Sequence, residues 1–141
     1  MAALDRAARV GEQHRTARRD VYAAYVNSVL LTLRDTSQMP AKGYKSTDAW
    51  VEAGSAASDS YNAAVLALGV VNLEAPAALA ERAEELRQCA QEFLLAARAA
   101  AKPDLGQEER QNLGEAAEAK SERVFEVLTT FTEEARADLL Q

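Results

Sequence analysis

The chain has 141 residues, enough for one domain with a buried core. Hydrophobic residues make up 48% of it and aromatic residues only 6%, so the interior must consist mainly of small side chains. The net charge of −6 argues against nucleic acid as a partner, because phosphate binding needs a concentrated basic surface.

Four segments show the periodicity of amphipathic helices. The first covers roughly residues 3–35 and is followed by a polar stretch. The second begins at Ser46 or Thr47 as N-cap, the third has Pro76 in its first turn, and the fourth follows Pro103. Short connections make neighbouring helices antiparallel. The sequence therefore predicts an all-α fold, an up-down-up-down antiparallel four-helix bundle with long outer helices 1 and 4, as a single domain over residues 1–141.

Each predicted helix presents one row of inward-facing residues. Trp50, near the start of the second helix, is expected to cover the last turns of the first around Leu30 and Leu33. The rows are Leu4, Ala8, Gly11, Arg15, Arg18, Tyr22, Val26, Val29 and Leu33; then Trp50, Ala53, Ala57, Tyr61, Ala64, Leu68 and Val71; then Leu79, Ala83, Leu86, Ala90, Phe93, Leu94, Ala97 and Ala101; then Leu113, Ala117, Val124, Leu128, Phe131, Ala135 and Leu139.

Two arginines, Arg15 and Arg18, interrupt the apolar row of the first helix. A charge on a core row destabilises the fold unless it is paired. One interpretation is structural: an arginine donates to carbonyls in the turn between helices 2 and 3, or to Glu134. The other is functional: Arg15 and Arg18, with Tyr22 and Tyr61, hold an anionic or aromatic ligand.

Helices 1 and 4 are predicted to be longer than the inner two, by about 12–15 Å at 1.5 Å per residue. With a tight turn between helices 3 and 4, the surplus should project as a pair beyond the turn between helices 2 and 3. Two helices alone cannot bury both apolar edges, so the sequence predicts a docking surface on this extension. Its residues are Leu4, Ala8 and Gly11 facing Phe131, Ala135 and Leu139.

Residues that could carry catalysis are few. His14 is the only histidine, without the paired Glu-x-x-His spacing of metal-binding bundles, and Cys89 is the only cysteine, so neither a metal site nor a disulfide is expected. The serines fall within predicted helices and no Gly-rich phosphate loop is present. We therefore expect no enzyme activity, no cofactor and no metal. The lone cysteine favours the reducing cytoplasm, and no apolar run suggests stable membrane insertion.

Three short patches resemble a group of small Ala- and Arg-rich helical-bundle proteins of actinobacteria. They are Arg19-x-x-Tyr22-x-x-Tyr25-Val26, Leu73 to Pro76, and Phe131-x-x-x-Ala135-Arg136-x-Asp138-Leu139, together about a fifth of the chain. That group has no assigned activity. The resemblance implies a helical bundle and contributes no catalytic residue.

Two functions remain open from the sequence, and a third, a membrane-surface role through the basic start of helix 1, is weaker because that helix lacks the Trp-, Phe- and Leu-rich side that such binding needs. The first is a non-catalytic interaction or assembly module, as a homodimer or with a protein partner, that self-associates through the helix 1/helix 4 extension. A twofold dimer is the commonest way to cover a self-complementary apolar strip. The alternative is a small-molecule-binding bundle with its ligand at the arginine and tyrosine positions named above.

Overall fold

The computed structural model describes residues 2–141, and within that range it contains four α-helices and no strand. The helices are α1 (Ala2–Ser37), α2 (Thr47–Glu74), α3 (Ala77–Ala100) and α4 (Gln107–Leu139). The all-α prediction is confirmed. Ser46 caps α2 as its sequence position predicted, because its hydroxyl accepts from the Ala49 N–H at 3.2 Å.

Side-chain contacts between consecutive helices give the direction of each. Ser60 of α2 donates to Asp35 near the end of α1, and Arg87 of α3 donates to Tyr61 of α2 at 2.7 Å. Near the start of α3, Arg82 donates to Glu134 at the far end of α4, with Nη2 to Oε1 at 3.1 Å. Together with the short connections 38–46, 75–76 and 101–106, these contacts make consecutive helices antiparallel, which gives the predicted up-down-up-down bundle.

The bundle has an uneven cross-section. Over residues 2–141, α1 packs most closely along α2 and α3 along α4, α1 also contacts α3 across the diagonal, and α2 and α4 do not touch. Contact between α1 and α4 is limited. Thus α2 and α4 occupy the two outer corners, and each leaves a broad outer face without a helical neighbour.

The core is built from the predicted rows, with Phe131 of α4 at its centre. Phe131 is fully buried and packs edge-on against Tyr22 and Tyr25 of α1, with ring centroids 6.3 and 5.5 Å apart. Alanine and valine make up more than half of the other buried residues of the predicted rows, in line with the composition. These residues are Val29, Leu33, Ala57, Ala64, Leu68, Val71, Leu79, Ala83, Leu86, Ala90, Phe93, Leu94, Ala97, Ala117, Val124, Leu128 and Ala135.

The predicted paired extension of helices 1 and 4 is wrong. Phe131 and Ala135 are buried in the bundle, and Leu139 packs partly against its core. Leu4, Ala8 and Gly11 face none of them, since every residue from 2 to 17 is exposed.

The physical reason is where α4 places its additional length. Its C-terminal turns lie beside the first turns of α3, where Arg82 contacts Glu134. The surplus of α4 lies at its N-terminal end, next to the connection between α1 and α2. There Arg110 donates to the carbonyls of Ala100 and Lys102, at 2.8 and 3.0 Å. Only α1 continues past the bundle.

Trp50 does not cover Leu30 as expected. Its indole N–H donates to the Arg98 carbonyl of α3 at 2.8 Å, and the Arg98 guanidinium lies 5.2 Å from the ring centroid. Leu30 remains 44% exposed. Trp50 lies on the side of α2 that faces α3. Its hydrogen bond and its cation–π contact therefore join α2 to the end of α3.

A crevice of about 250 Å³ opens between α1 and α4 at the end of the bundle opposite the free part of α1. Small residues of α4, among them Gly114 and Ala117, leave space opposite Thr36 and Met39. The Thr36 hydroxyl is buried and has no hydrogen-bond partner within residues 2–141. By contrast, the hydroxyl of buried Thr32, one turn earlier, donates to the Ser28 carbonyl at 2.9 Å.

This difference between the two threonines predicts opposite effects of valine. Thr36→Val removes an unsatisfied polar group and should raise the free energy of unfolding by about 1 kcal/mol. Thr32→Val removes a formed hydrogen bond and should lower it by about 1 kcal/mol. Urea melts of both variants measure the difference. Equal effects of the two substitutions would mean that the Thr36 hydroxyl is satisfied in solution.

Candidate functional site

The base of the free α1 segment is fixed to the end of α4 by one carboxylate. Asp138 accepts from the Tyr22 hydroxyl at 2.7 Å and from Arg18 Nη1 at 3.3 Å. The Asp138 side chain is 11% exposed and that of Arg18 is 26% exposed. Burial, followed by the hydrogen bond to Asp138, raises the pKa of Tyr22 above its ordinary value. These two hydrogen bonds join α1 to α4, which otherwise contact each other little.

Arg18 thus has a structural partner, but not one of the two that the sequence suggested. Glu134 pairs instead with Arg82, and Asp138 takes Arg18. The carbonyls of the turn between α2 and α3 receive no arginine within the described range. The reason is register: the last turn of α4 reaches the level of Arg18, and its carboxylate is the nearest acceptor.

The other arginine and the two tyrosines do not join this cluster. Arg15 is exposed on the free part of α1 and makes no ion pair within residues 2–141. Tyr61 lies on α2 next to Ser60, which donates to Asp35, thirteen residues along α1 from Tyr22. There it accepts from Arg87, and hydrogen bonds from Arg87 also lower the pKa of Glu84. The structure does not bring Arg15, Arg18, Tyr22 and Tyr61 together, so no ligand pocket is formed by those four.

The free part of α1, residues 2–17, is the feature of the molecule most accessible to a partner. We call it the α1 arm. Leu4, Ala8 and Gly11 continue the row that forms the core further along α1, beyond the interruption at Arg15 and Arg18, and Leu4 is 73% exposed. Val10, 47% exposed, lies about 120° around the helix from Leu4. A β-carbon at Gly11 would meet no atom within 4 Å. At 1.5 Å per residue the arm extends about 24 Å beyond the bundle.

A second apolar surface, which the sequence analysis missed, covers the outer side of α2. Its members are Val65, Leu66, Val70 and Leu73, between 37% and 83% exposed. No charged residue occurs from Ser60 to Leu73, and α2 as a whole contains no lysine or arginine. A helix that is apolar on all sides normally has partners all round. The run of fourteen uncharged residues was the signal in the sequence, because α2 needs only one inward row inside the chain.

Other chemistry-bearing groups are dispersed. Burial raises the pKa of the Cys89 thiol, which lies on α3. His14 lies on the exposed α1 arm, away from the bundle that contains Cys89. Over residues 2–141 no three His, Cys, Asp or Glu side chains come together in an arrangement that could hold a metal ion. In the same range, none of the helices combines the length and the apolar character needed to cross a bilayer.

No protein-family model, no curated protein and no solved structure matches this chain. The residues themselves therefore carry the functional interpretation. Within residues 2–141, the α1 arm and the outer surface of α2 are extended surfaces whose apolar side chains stay exposed.

Proposed function

We propose that this chain is a non-catalytic helical assembly module that forms a homodimer through the α1 arm. The single observation that supports the proposal is the arm itself, a helical segment of residues 2–17 with a short apolar row, in which every residue is exposed. A segment of this length is only marginally helical on its own, even when it is rich in alanine, and Gly11 weakens it further. Burial of its apolar row against a partner would stabilise it.

A second copy of the chain is the partner that we propose. Twofold symmetry uses the same surfaces in both copies, so one exposed apolar row provides two contacts. Nucleic acid and membrane lipid are not part of the proposal, because Asp5 and Glu12 interrupt the arginines of the arm and the net charge is −6. We propose the cytoplasm as the location, since the lone Cys89 suits a reducing compartment.

Leu4→Glu tests the role of the arm. The wild-type chain should show twice the monomer mass in light scattering at micromolar concentrations, and the variant should show the monomer mass. Leu4 is 73% exposed, so the bundle should keep its stability. A carboxylate in the first turns of a helix also suits the helix dipole, so helicity should not fall for that reason.

Leu95→Glu is the matched control, because Leu95 is 57% exposed on α3, outside the arm. It should leave the dimer intact. A wild-type chain that stays monomeric over the same concentrations would contradict the proposal. So would a dimer that both variants retain.

A further inference from the structure

We infer that the α1 arm of one copy binds the outer apolar surface of α2 in the second copy, and that the exchange is reciprocal. This inference rests on the proposed function and names the surface that receives the arm. The arm and the surface formed by Val65, Leu66, Val70 and Leu73 are both unpartnered, and they lie at the same end of the bundle. Each therefore offers the apolar area that the other needs.

The relative position of the two surfaces fits a twofold dimer. The end of α2 lies near the base of the arm, because α2 leads directly into α3, whose Arg82 contacts Glu134 in the last turns of α4. Asp138 in the same part of α4 binds Arg18 and Tyr22. When two copies meet end to end about a twofold axis, each arm runs back along the body of the other copy, parallel to its α2. An arm of about 24 Å reaches from the end of α2 to about residue 59. That length covers Val65 to Leu73 and stops short of Val51.

Charge favours the same pairing. The arm carries Arg6, Arg9 and Arg15 against Asp5 and Glu12. The receiving helix contains acidic residues only, and two of them, Asp59 and Glu74, lie on either side of its apolar surface. Basic residues beside an apolar row would meet acidic residues beside an apolar surface.

Pairing of the two arms with each other is the competing arrangement. It would place arginine-rich segments side by side, with Leu4 and Val10 as their only large apolar side chains. It would also leave four large apolar residues of α2 in water. The arm-to-α2 arrangement buries both surfaces, which is why we favour it.

A complementation experiment separates the two arrangements. Leu4→Glu places a carboxylate against acidic α2, and Leu66→Lys places an ammonium group against the basic arm. Each variant alone should dimerise at least roughly tenfold more weakly than wild type. Mixed one to one, they should form a heterodimer. In it, one arm and one α2 surface are both unaltered, and the other contact brings the introduced carboxylate to the same α2 surface as the introduced ammonium group, about five residues or 7–8 Å apart along the helix.

The readout is capture of untagged Leu4→Glu by Leu66→Lys that carries a C-terminal histidine tag, together with the mass of the mixture. Val51→Lys is the matched control, since Val51 is 48% exposed on α2 but beyond the reach of the arm, and it should dimerise as wild type does. If Leu66→Lys alone dimerises as tightly as wild type, the inference is overturned while the proposed function survives. If the wild-type chain is monomeric, both fail. If neither variant dimerises and the mixture does not either, reciprocal exchange is overturned.

Discussion

Phe131→Ala should lower the free energy of unfolding by about 3–5 kcal/mol, the usual loss when a buried aromatic ring is truncated. Phe131 has no exposed surface, and its ring packs edge-on against two tyrosines of α1. Removal leaves a cavity where α1 and α4 meet, and the surrounding small side chains can fill little of it. Urea denaturation followed by circular dichroism measures the loss.

Phe125 provides the control on the same helix. It is 51% exposed, so Phe125→Ala should change the free energy of unfolding by no more than about 0.5 kcal/mol. Similar losses at both positions would contradict the placement of Phe131 in the core. A small loss at Phe131 alone would restore the extension that the sequence suggested, with Phe131 outside the bundle.

Asp138→Ala should lower the free energy of unfolding by about 1–3 kcal/mol, because two donors lose their acceptor at once. The Tyr22 hydroxyl is buried at the interface of α1 and α4, and Arg18 is left with an unpaired charge. Arg18→Met should cost less, since Tyr22 then keeps its acceptor. The remaining carboxylate stays partly accessible to water and is better solvated than a fully buried one.

Thermal and urea unfolding of the two single variants and the double variant separate these contributions. The double variant should be no less stable than Asp138→Ala, because no unpaired arginine charge remains. A loss below about 0.5 kcal/mol for Asp138→Ala would show that the cluster adds nothing to stability, as for an ordinary exposed ion pair.

Local patterns in the sequence were enough to predict the four helices, their order and the side of each helix that faces the core. Ser46 was predicted as a cap from its residue type, and Leu86 and Val124 as core from their spacing. These features depend on a few neighbouring residues. The partner of Arg18 could not be predicted in the same way, because it depends on how far α4 slides along α1. A shift of one turn would exchange Asp138 for Glu134.

The predicted paired extension of helices 1 and 4 is wrong for a related reason. The lengths of the helices were nearly right, but the end at which α4 extends depends on the connection before Gln107, and periodicity does not report connections. The sequence analysis assigned one inward row to each helix and took every other position to be solvated, so it did not predict the outer apolar surface of α2. A run without charge from Ser60 to Leu73 is the observation that would have corrected this.

The arm has a consequence for how such a chain can change over evolutionary time. Because every residue from 2 to 17 is exposed, substitutions there should leave the folding of the remaining chain almost untouched. Under the proposed function, selection can therefore act on the choice of partner at the arm while the core residues stay fixed. A lineage could gain or lose a partner within this one segment, without passing through variants that fail to fold.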